Sequence, residues 1–392
     1  RPRPPARLPA TARTRRRPDA PLPAPTPPAR SIPLSLRAPE LLAIIRVASR
    51  GKVAPAPAPA VCRPTPGCAC PAATAPALPP LPPRLVVHEW GTFTTQVAAD
   101  GTPQLWEDRT PEKLPSFVHK NWTIPGGKGG KHASGTVRME TPVLYFYTPA
   151  PLTVSARVWF PRGVITEWFP QAQEATEQPD ASSDFPSYAA NTVSWLNVKV
   201  GSKASGSSPP WDPTVQGNYY EARQTDSKEI TQTIGGKVET EKFLFYRGIG
   251  SFDLPLRVRA TSRGIDLDSR APWPLVGGFL FERRGDRIGF RRIPQIQNHA
   301  TLATLLRPPL REGLSDIRTV MEQLLIEQGL YKKEAHAMID TWQKTWFEEG
   351  LRVFYLVPRA FTDQVLPLSV SPPPLELVRV LVGRIDFPDK SR

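Results

Sequence analysis

Cysteine is nearly missing from this chain: there are three in 392 residues, Cys62, Cys68 and Cys70, all near the start. Everything downstream of Cys70 therefore has neither an internal disulfide nor a thiol nucleophile. The spacing C-x5-C-x-C, with no histidine close by, matches no common zinc pattern. Acids are missing from the first 85 positions, where 14 Lys and Arg face only Asp19 and Glu40. Long apolar runs are missing too. No stretch of 18 apolar residues exists, which excludes a transmembrane helix. The patch Leu41-Leu42-Ala43-Ile44-Ile45 is shorter than the roughly 7–15 residues of a secretory apolar core.

Proline is abundant, with 23 of its 49 copies in the first 85 positions. A segment so rich in Pro, Arg and Ala, and so poor in aromatics, cannot bury enough apolar area to offset the entropy of ordering. Residues 1–84 are thus expected to be a disordered tail. The chain opens on Arg1, so the tail reads either as an authentic linker or as the product of a fragmentary or wrongly started reading frame. It also carries most of the charge. The whole chain nets +14, but 36 basic and 34 acidic residues remain beyond the first 85, a net of +2. That near-neutrality argues against nucleic-acid binding by the folded part. A basic arm gripping an anionic surface is left to the tail alone.

Order is expected from Leu85 onward. Short strands are predicted at 136–148, with Pro142 at a bulge, and at 152–160, where Val154, Ala156 and Val158 alternate with Ser155, Arg157 and Trp159. Phe160-Pro161-Arg162-Gly163 has the chemistry of a type I turn, leading into a return strand over 164–169. Further strands are predicted at 193–200, 242–247, 254–260, 275–282 and 287–293, the last two joined by a turn at Arg283-Arg284-Gly285-Asp286. The stretch 100–135 reads as a long loop. Ser315 can cap a helix over 316–328, closed by Gly329, and a second helix is expected over 332–349, ended by Gly350. Strands at 351–357, 365–370 and 377–387 follow. The expected class is α+β: mainly antiparallel β, sandwich-like, with a C-terminal αα-hairpin packed on the sheet. A β-rich segment over 85–300 and a helical hairpin plus terminal strands over 301–392 belong to one domain on this reading.

The opening Val86-Val87-His88-Glu89-Trp90-Gly91-Thr92-Phe93-Thr94 resembles an uncharacterised bacterial family whose members begin V-H-E-W-G-T-F-T. Met139-Glu140-Thr141-Pro142-Val143-Leu144-Tyr145-Phe146-Tyr147, Ile165-Thr166-Glu167-Trp168-Phe169-Pro170 and Phe243-Leu244-Phe245-Tyr246-Arg247-Gly248 carry the resemblance further. Towards the end it includes Gly350-Leu351-Arg352-Val353, Pro358-Arg359 and 378–384. The resemblance implies an exported protein of bacteria with large genomes, such as planctomycetes or myxobacteria. It implies no particular activity.

Candidate chemistry centres on a repeated word, Glu89-Trp90 and Glu167-Trp168. Two carboxylates facing each other across roughly 5–9.5 Å are what glycoside hydrolysis needs, and an adjacent indole raises a carboxyl's pKa and offers a sugar a stacking face. The competing reading is a Glu at a strand end beside a core Trp. Glu140 and His119 are secondary candidates for the same cleft. Tyr219, Tyr220, Glu221 and Arg223 form a second polar-aromatic cluster. Arg247 ends an apolar strand and calls for a carboxylate partner, with Glu89, Glu140 and Glu167 as the natural choices. His88-Glu89 lacks the second histidine of H-E-x-x-H, since Thr92 stands there, so His88 reads as a hydrogen-bonded structural residue. Gly126-Gly127-Lys128-Gly129-Gly130-Lys131-His132 fails the phosphate-loop pattern and reads as a loop. No metal and no cofactor is implied.

The leading reading is thus a binding or structural protein of the bacterial envelope with a glycan or protein ligand, using Trp90, Trp168, Tyr219, Tyr220 and Arg247. The alternative is a glycan hydrolase using Glu89 and Glu167.

Overall fold

The computed structural model describes residues 84–107, 114–120, 134–175, 191–202, 207–212, 215, 219–312 and 315–387. The chain divides into Arg1–Ala77 and Leu78–Arg392, and every described residue lies in the second unit. The expected tail up to Pro83, its three cysteines and the glycine-rich 126–132 lie outside the described residues.

Strands dominate. In chain order they are β1 (Val86–Val97), β2 (Val137–Tyr147), β3 (Leu152–Phe160), β4 (Gly163–Phe169), β5 (Asn191–Val200), β6 (Ile230–Ile234), β7 (Lys237–Glu241) and β8 (Leu244–Gly250). Then come β9 (Leu256–Ala260), β10 (Gly264–Ser269), β11 (Gly278–Arg284), β12 (Arg287–Arg292) and β13 (Thr301–Leu306). Helices α1 (Ser315–Glu327) and α2 (Lys332–Trp346) follow, then β14 (Gly350–Val357), the short α3 (Arg359–Val365), β15 (Leu368–Ser371) and β16 (Glu376–Phe387). Two-residue strands fill the gaps at 103–104, 106–107, 119–120, 134–135, 174–175 and 311–312.

The main sheet has eleven strands and runs β12-β11-β14-β16-β1-β2-β8-β4 through its middle, with two-residue strands at both edges. Its neighbours are antiparallel except β1 and β16, which run parallel from Val86↔Glu376 to Gln96↔Asp386. The first and last long strands are therefore central partners, and 301–392 contributes β14 and β16 to the same sheet as β1. A second sheet, β7-β6-β5-β3-β15, packs over one face, alongside a third, β9-β10-β13. Helices α1 and α2 cover the other face.

Alternation explains the layering. In β1, Val87 and Phe93 join the core between the sheets, while Trp90 joins the core under the helices. In β3, Val154, Ala156 and Val158 point inward and Arg157 and Trp159 outward, as the sequence pattern predicts. In β8, Gly248 is required by close approach: a Cβ there would lie 2.1 Å from the Val164 carbonyl oxygen. A register shift follows Arg247 at this point.

The mainly antiparallel β architecture with a helical hairpin on the sheet is as expected, and several boundaries differ. The second helix stops at Trp346 rather than 349, because the carbonyls of Glu348 and Glu349 turn to accept from Arg352 at 2.5 and 3.0 Å. Residues 359–365 are helix, where a strand was expected to begin at 365. The β6–β7 hairpin, closed by Gly235-Gly236, and strands β10 and β13 lie outside the expected strands; all four are short, and β6, β7 and β10 interleave polar residues with few apolar ones. The turn between β11 and β12 is as predicted, with Gly285 at φ 56.

Candidate functional site

Glu89 projects into the layer between the main sheet and the second sheet, as Val87 does, and is fully buried. Arg379 Nε donates to its Oε2 at 2.6 Å and the Tyr246 hydroxyl to its Oε1 at 2.5 Å. Arg379 also donates to Asp363 Oδ1 and to the Leu366 carbonyl, both at 2.8 Å. Burial works against the Arg379 charge, but the Glu89 carboxylate outweighs it and holds the arginine above its ordinary value. Burial, with Glu89 beside it, also keeps the Tyr246 hydroxyl protonated far above its usual range.

Glu167 projects the other way. Its neighbour Trp168 and Trp168's partner Tyr246 both belong to the core between the sheets, so Glu167 and its register partner Arg247 face the helix side. Arg247 grips Glu167 with two bonds, Nε to Oε2 at 2.7 Å and Nη2 to Oε1 at 2.9 Å, and the Thr166 hydroxyl donates as well. Burial alone would raise the Glu167 pKa; Arg247 overrides it and holds the carboxyl below its usual value.

The structure does not bring Glu89 and Glu167 together. Strands β2 and β8 lie between theirs, three strand spacings or about 14 Å, and the two side chains leave opposite faces. That is outside the span a glycosidase pair requires. Each carboxylate is also closed by its own arginine. Arg247 finds the carboxylate that its position called for, and it is Glu167.

The other candidates are distributed likewise. Glu140 accepts from Thr94 Oγ1 at 2.6 Å, while His119 bonds Glu239 at 3.0 Å and stacks on Trp168, so the two do not share a cleft. Tyr219, Tyr220 and Arg223 lie on a 3-10 helix, Tyr219–Arg223. Arg223 chelates the buried Glu241 through Nε at 2.9 Å and Nη2 at 2.7 Å, and Tyr219 donates to the same carboxylate at 3.2 Å. Glu221 is exposed beside them. His88 Nδ1 meets Glu334 Oε2 at 2.7 Å, in the structural role the sequence suggested; Tyr147 supports Glu334 from the other side at 2.9 Å. Trp90 and Trp168 are 0% and 6% exposed, and Tyr219 and Tyr220 are 3% and 8% exposed, so none presents a face on which a ligand could stack.

An open concavity lies elsewhere. A cleft of about 500 Å³ runs between the third sheet and the end of the main sheet. Its floor is apolar, with Val97, Leu254, Val258 and Ile385. Its wall is a ladder of opposite charges. Register places Arg257 opposite Asp268 and Arg259 opposite Asp266, and the ion pairs formed include Arg259–Asp266 at 2.7 Å, Arg270–Asp268 at 2.6 Å and Arg257–Asp253 at 3.2 Å. The Arg259 hydrogen bond, with those of Thr304, holds the Asp266 carboxyl below its usual range. The turn after β1 closes one side. It is pinned by Ala260 N–H to the Ala99 carbonyl at 2.8 Å, and Gly101 (φ 88) brings its backbone against the Val258 carbonyl, where a Cβ would lie 2.3 Å from oxygen. The sequence signal for this wall is the alternation Leu-Arg-Val-Arg and Ile-Asp-Leu-Asp, charges on one face and apolar residues on the other.

No protein-family model matches the chain, and comparison with curated proteins finds no match. Among solved structures, the chain is similar to the Fcho1 Mu homology domain of Danio rerio with bound Eps15 peptide. Identity is 8% and TM-score 0.30, covering 78% of this chain and 97% of that one. It is also similar to the yeast delta-COP-I mu-homology domain complexed with Dsl1 WxWxV peptide, at 10% identity and TM-score 0.26, covering 77% and 96%. At TM-scores this low neither likeness establishes a common architecture. Among the described residues no helix is long and apolar enough to cross a membrane.

Proposed function

We propose that the chain is a binding protein that takes a polypeptide segment in the cleft between the third sheet and the main sheet. One observation carries this reading: the cleft joins an apolar floor to a wall of paired Arg and Asp side chains, with a pinned turn holding its shape. Apolar side chains of an extended segment fit the floor, and its charged side chains exchange with the exposed ion pairs, which are cheap to open. A sugar would want a stacking face instead, and the cleft's aromatic, Phe252, is buried. With the export implied by the sequence resemblance, this makes the protein a binding component of the bacterial envelope. The paired-carboxylate hydrolase draws no support from the positions of Glu89 and Glu167.

The test is selection from a displayed random-peptide library on the immobilised full chain, beside co-sedimentation with insoluble polysaccharides and peptidoglycan. A recurrent peptide pattern with no retention on glycans is expected. Retention on peptidoglycan with no peptide enriched would overturn the proposal.

A further inference from the structure

Positive charge is concentrated in one stretch of the folded part. From Glu282 to Glu312 there are seven arginines, no lysine and three acids, a net of +4, whereas residues 86–392 as a whole net only +2. Five of these arginines lie on the β11–β12 hairpin, beside a groove of about 830 Å³ whose charged lining is Arg283, Arg284 and Arg307 against Glu282 and Glu349. The groove shares only Val97 with the cleft described above.

Cross-strand pairing does not account for the facing arginines of this hairpin. Arg284 and Arg287 are direct cross-strand partners beside the turn, with Glu312 on the far side of Arg287. Like charges directly opposite one another destabilise a strand pair. Most of these guanidinium groups are held by neutral acceptors. Arg283 donates to the carbonyls of Gly285 at 2.9 Å and Phe347 at 3.0 Å, Arg287 to Leu310 at 3.0 Å and Arg291 to Leu306 at 2.9 Å. A carbonyl orients a guanidinium and leaves its charge uncancelled. Among the described residues, the ion pairs of this group are those of Arg284 and Arg307, and both converge on one oxygen, Glu282 Oε1, at 2.6 and 2.7 Å.

We propose that this groove binds an acidic polypeptide segment. The oriented guanidinium forks of the hairpin match carboxylates at the groove's edge, and Val97, Leu351 and Phe387 in the lining supply contacts for apolar side chains. Single-stranded nucleic acid would need a row of stacking faces; the groove's aromatic, Phe387, packs against the core. The chain's own first 85 residues, at 14 basic against two acidic, carry the wrong sign to fill it. The inference stands on the groove alone and not on the cleft.

The test is fluorescence anisotropy of a short labelled peptide alternating Glu with Leu, titrated with the full chain, with heparin and single-stranded DNA as competitors. The comparison protein is Arg284→Gln with Arg287→Gln, which keeps a donor near Glu282 and removes the opposed charges. The expected result is binding that weakens roughly tenfold in the double variant, while its melting temperature stays level or rises. Equal affinity in the two proteins would assign the binding to the basic tail and overturn the proposal. So would tighter binding of heparin or DNA with the same arginine dependence. Should the double variant fail to fold, Arg284→Gln alone, at a residue lining the groove, gives the same reading.

Discussion

Arg379, on the last long strand, donates to Glu89, on the first, across 290 residues of chain. Both side chains are almost fully buried, and their strands are the parallel pair at the centre of the main sheet. This ion pair locks the two ends of the described fold. Replacing Arg379 by Ala would leave a buried carboxylate without its cation, a loss of about 3–5 kcal/mol. Glu89→Gln keeps an acceptor for Tyr246 and should cost less. Chemical denaturation of both variants measures this, and equal, small losses would contradict the buried-pair account.

Glu167 provides a pH signature. Its carboxyl titrates lower in the folded chain than in the unfolded one, with Arg247 overriding burial. The folded state therefore holds fewer protons, and the contribution is present above the ordinary carboxylate range and lost as pH falls through the folded value. Glu167→Gln should be less stable at neutral pH and show a flatter loss of stability between about pH 5 and pH 2. Unfolding midpoints measured across that range decide it; parallel curves for the two proteins would contradict it.

Trp90 fills the core beneath the helices with no exposure. Trp90→Ala should cost about 3–5 kcal/mol through the cavity it leaves. Trp168, in the core on the other face, should behave similarly. Neither substitution should alter peptide affinity in protein that remains folded. Calorimetry and binding on the same samples separate the two effects, and a selective loss of binding would restore these indoles as ligand contacts.

Much of the fold was legible because its signals are local. The alternation of β3, the Arg-Gly-Asp turn and the spacing of Ile317, Val320, Met321 and Leu324 are read within one element. The partnership of Arg247 with Glu167 was also within reach, since a buried guanidinium demands a carboxylate. What was not legible depends on register between distant strands. The word Glu-Trp occurs twice, yet a register shift after Arg247 and the alternation of β1 send the two carboxylates to opposite faces. The partnership of His88 with Glu334 spans 246 residues, which no spacing reveals. The cleft wall was missed for a different reason: Arg257, Arg259, Asp266 and Asp268 lie on short polar strands whose charges resemble ordinary surface.

The cleft ladder has a consequence for specificity. Exchanging Arg259 for Asp and Asp266 for Arg together keeps the pair and reverses its polarity. Peptides selected by the double variant should carry the opposite charge at the position facing this pair. Unchanged selection would place binding outside the cleft.

The most direct measurement uses Thr301→Trp, which puts a large side chain at an exposed position lining the cleft. Affinities of peptides selected on the unaltered chain are measured on this variant by titration calorimetry, with folding checked by its melting curve. The account predicts a folded protein whose peptide affinity is reduced at least roughly tenfold, about 1.4 kcal/mol. Full affinity in a folded Thr301→Trp protein would contradict the assignment of the cleft as the binding site.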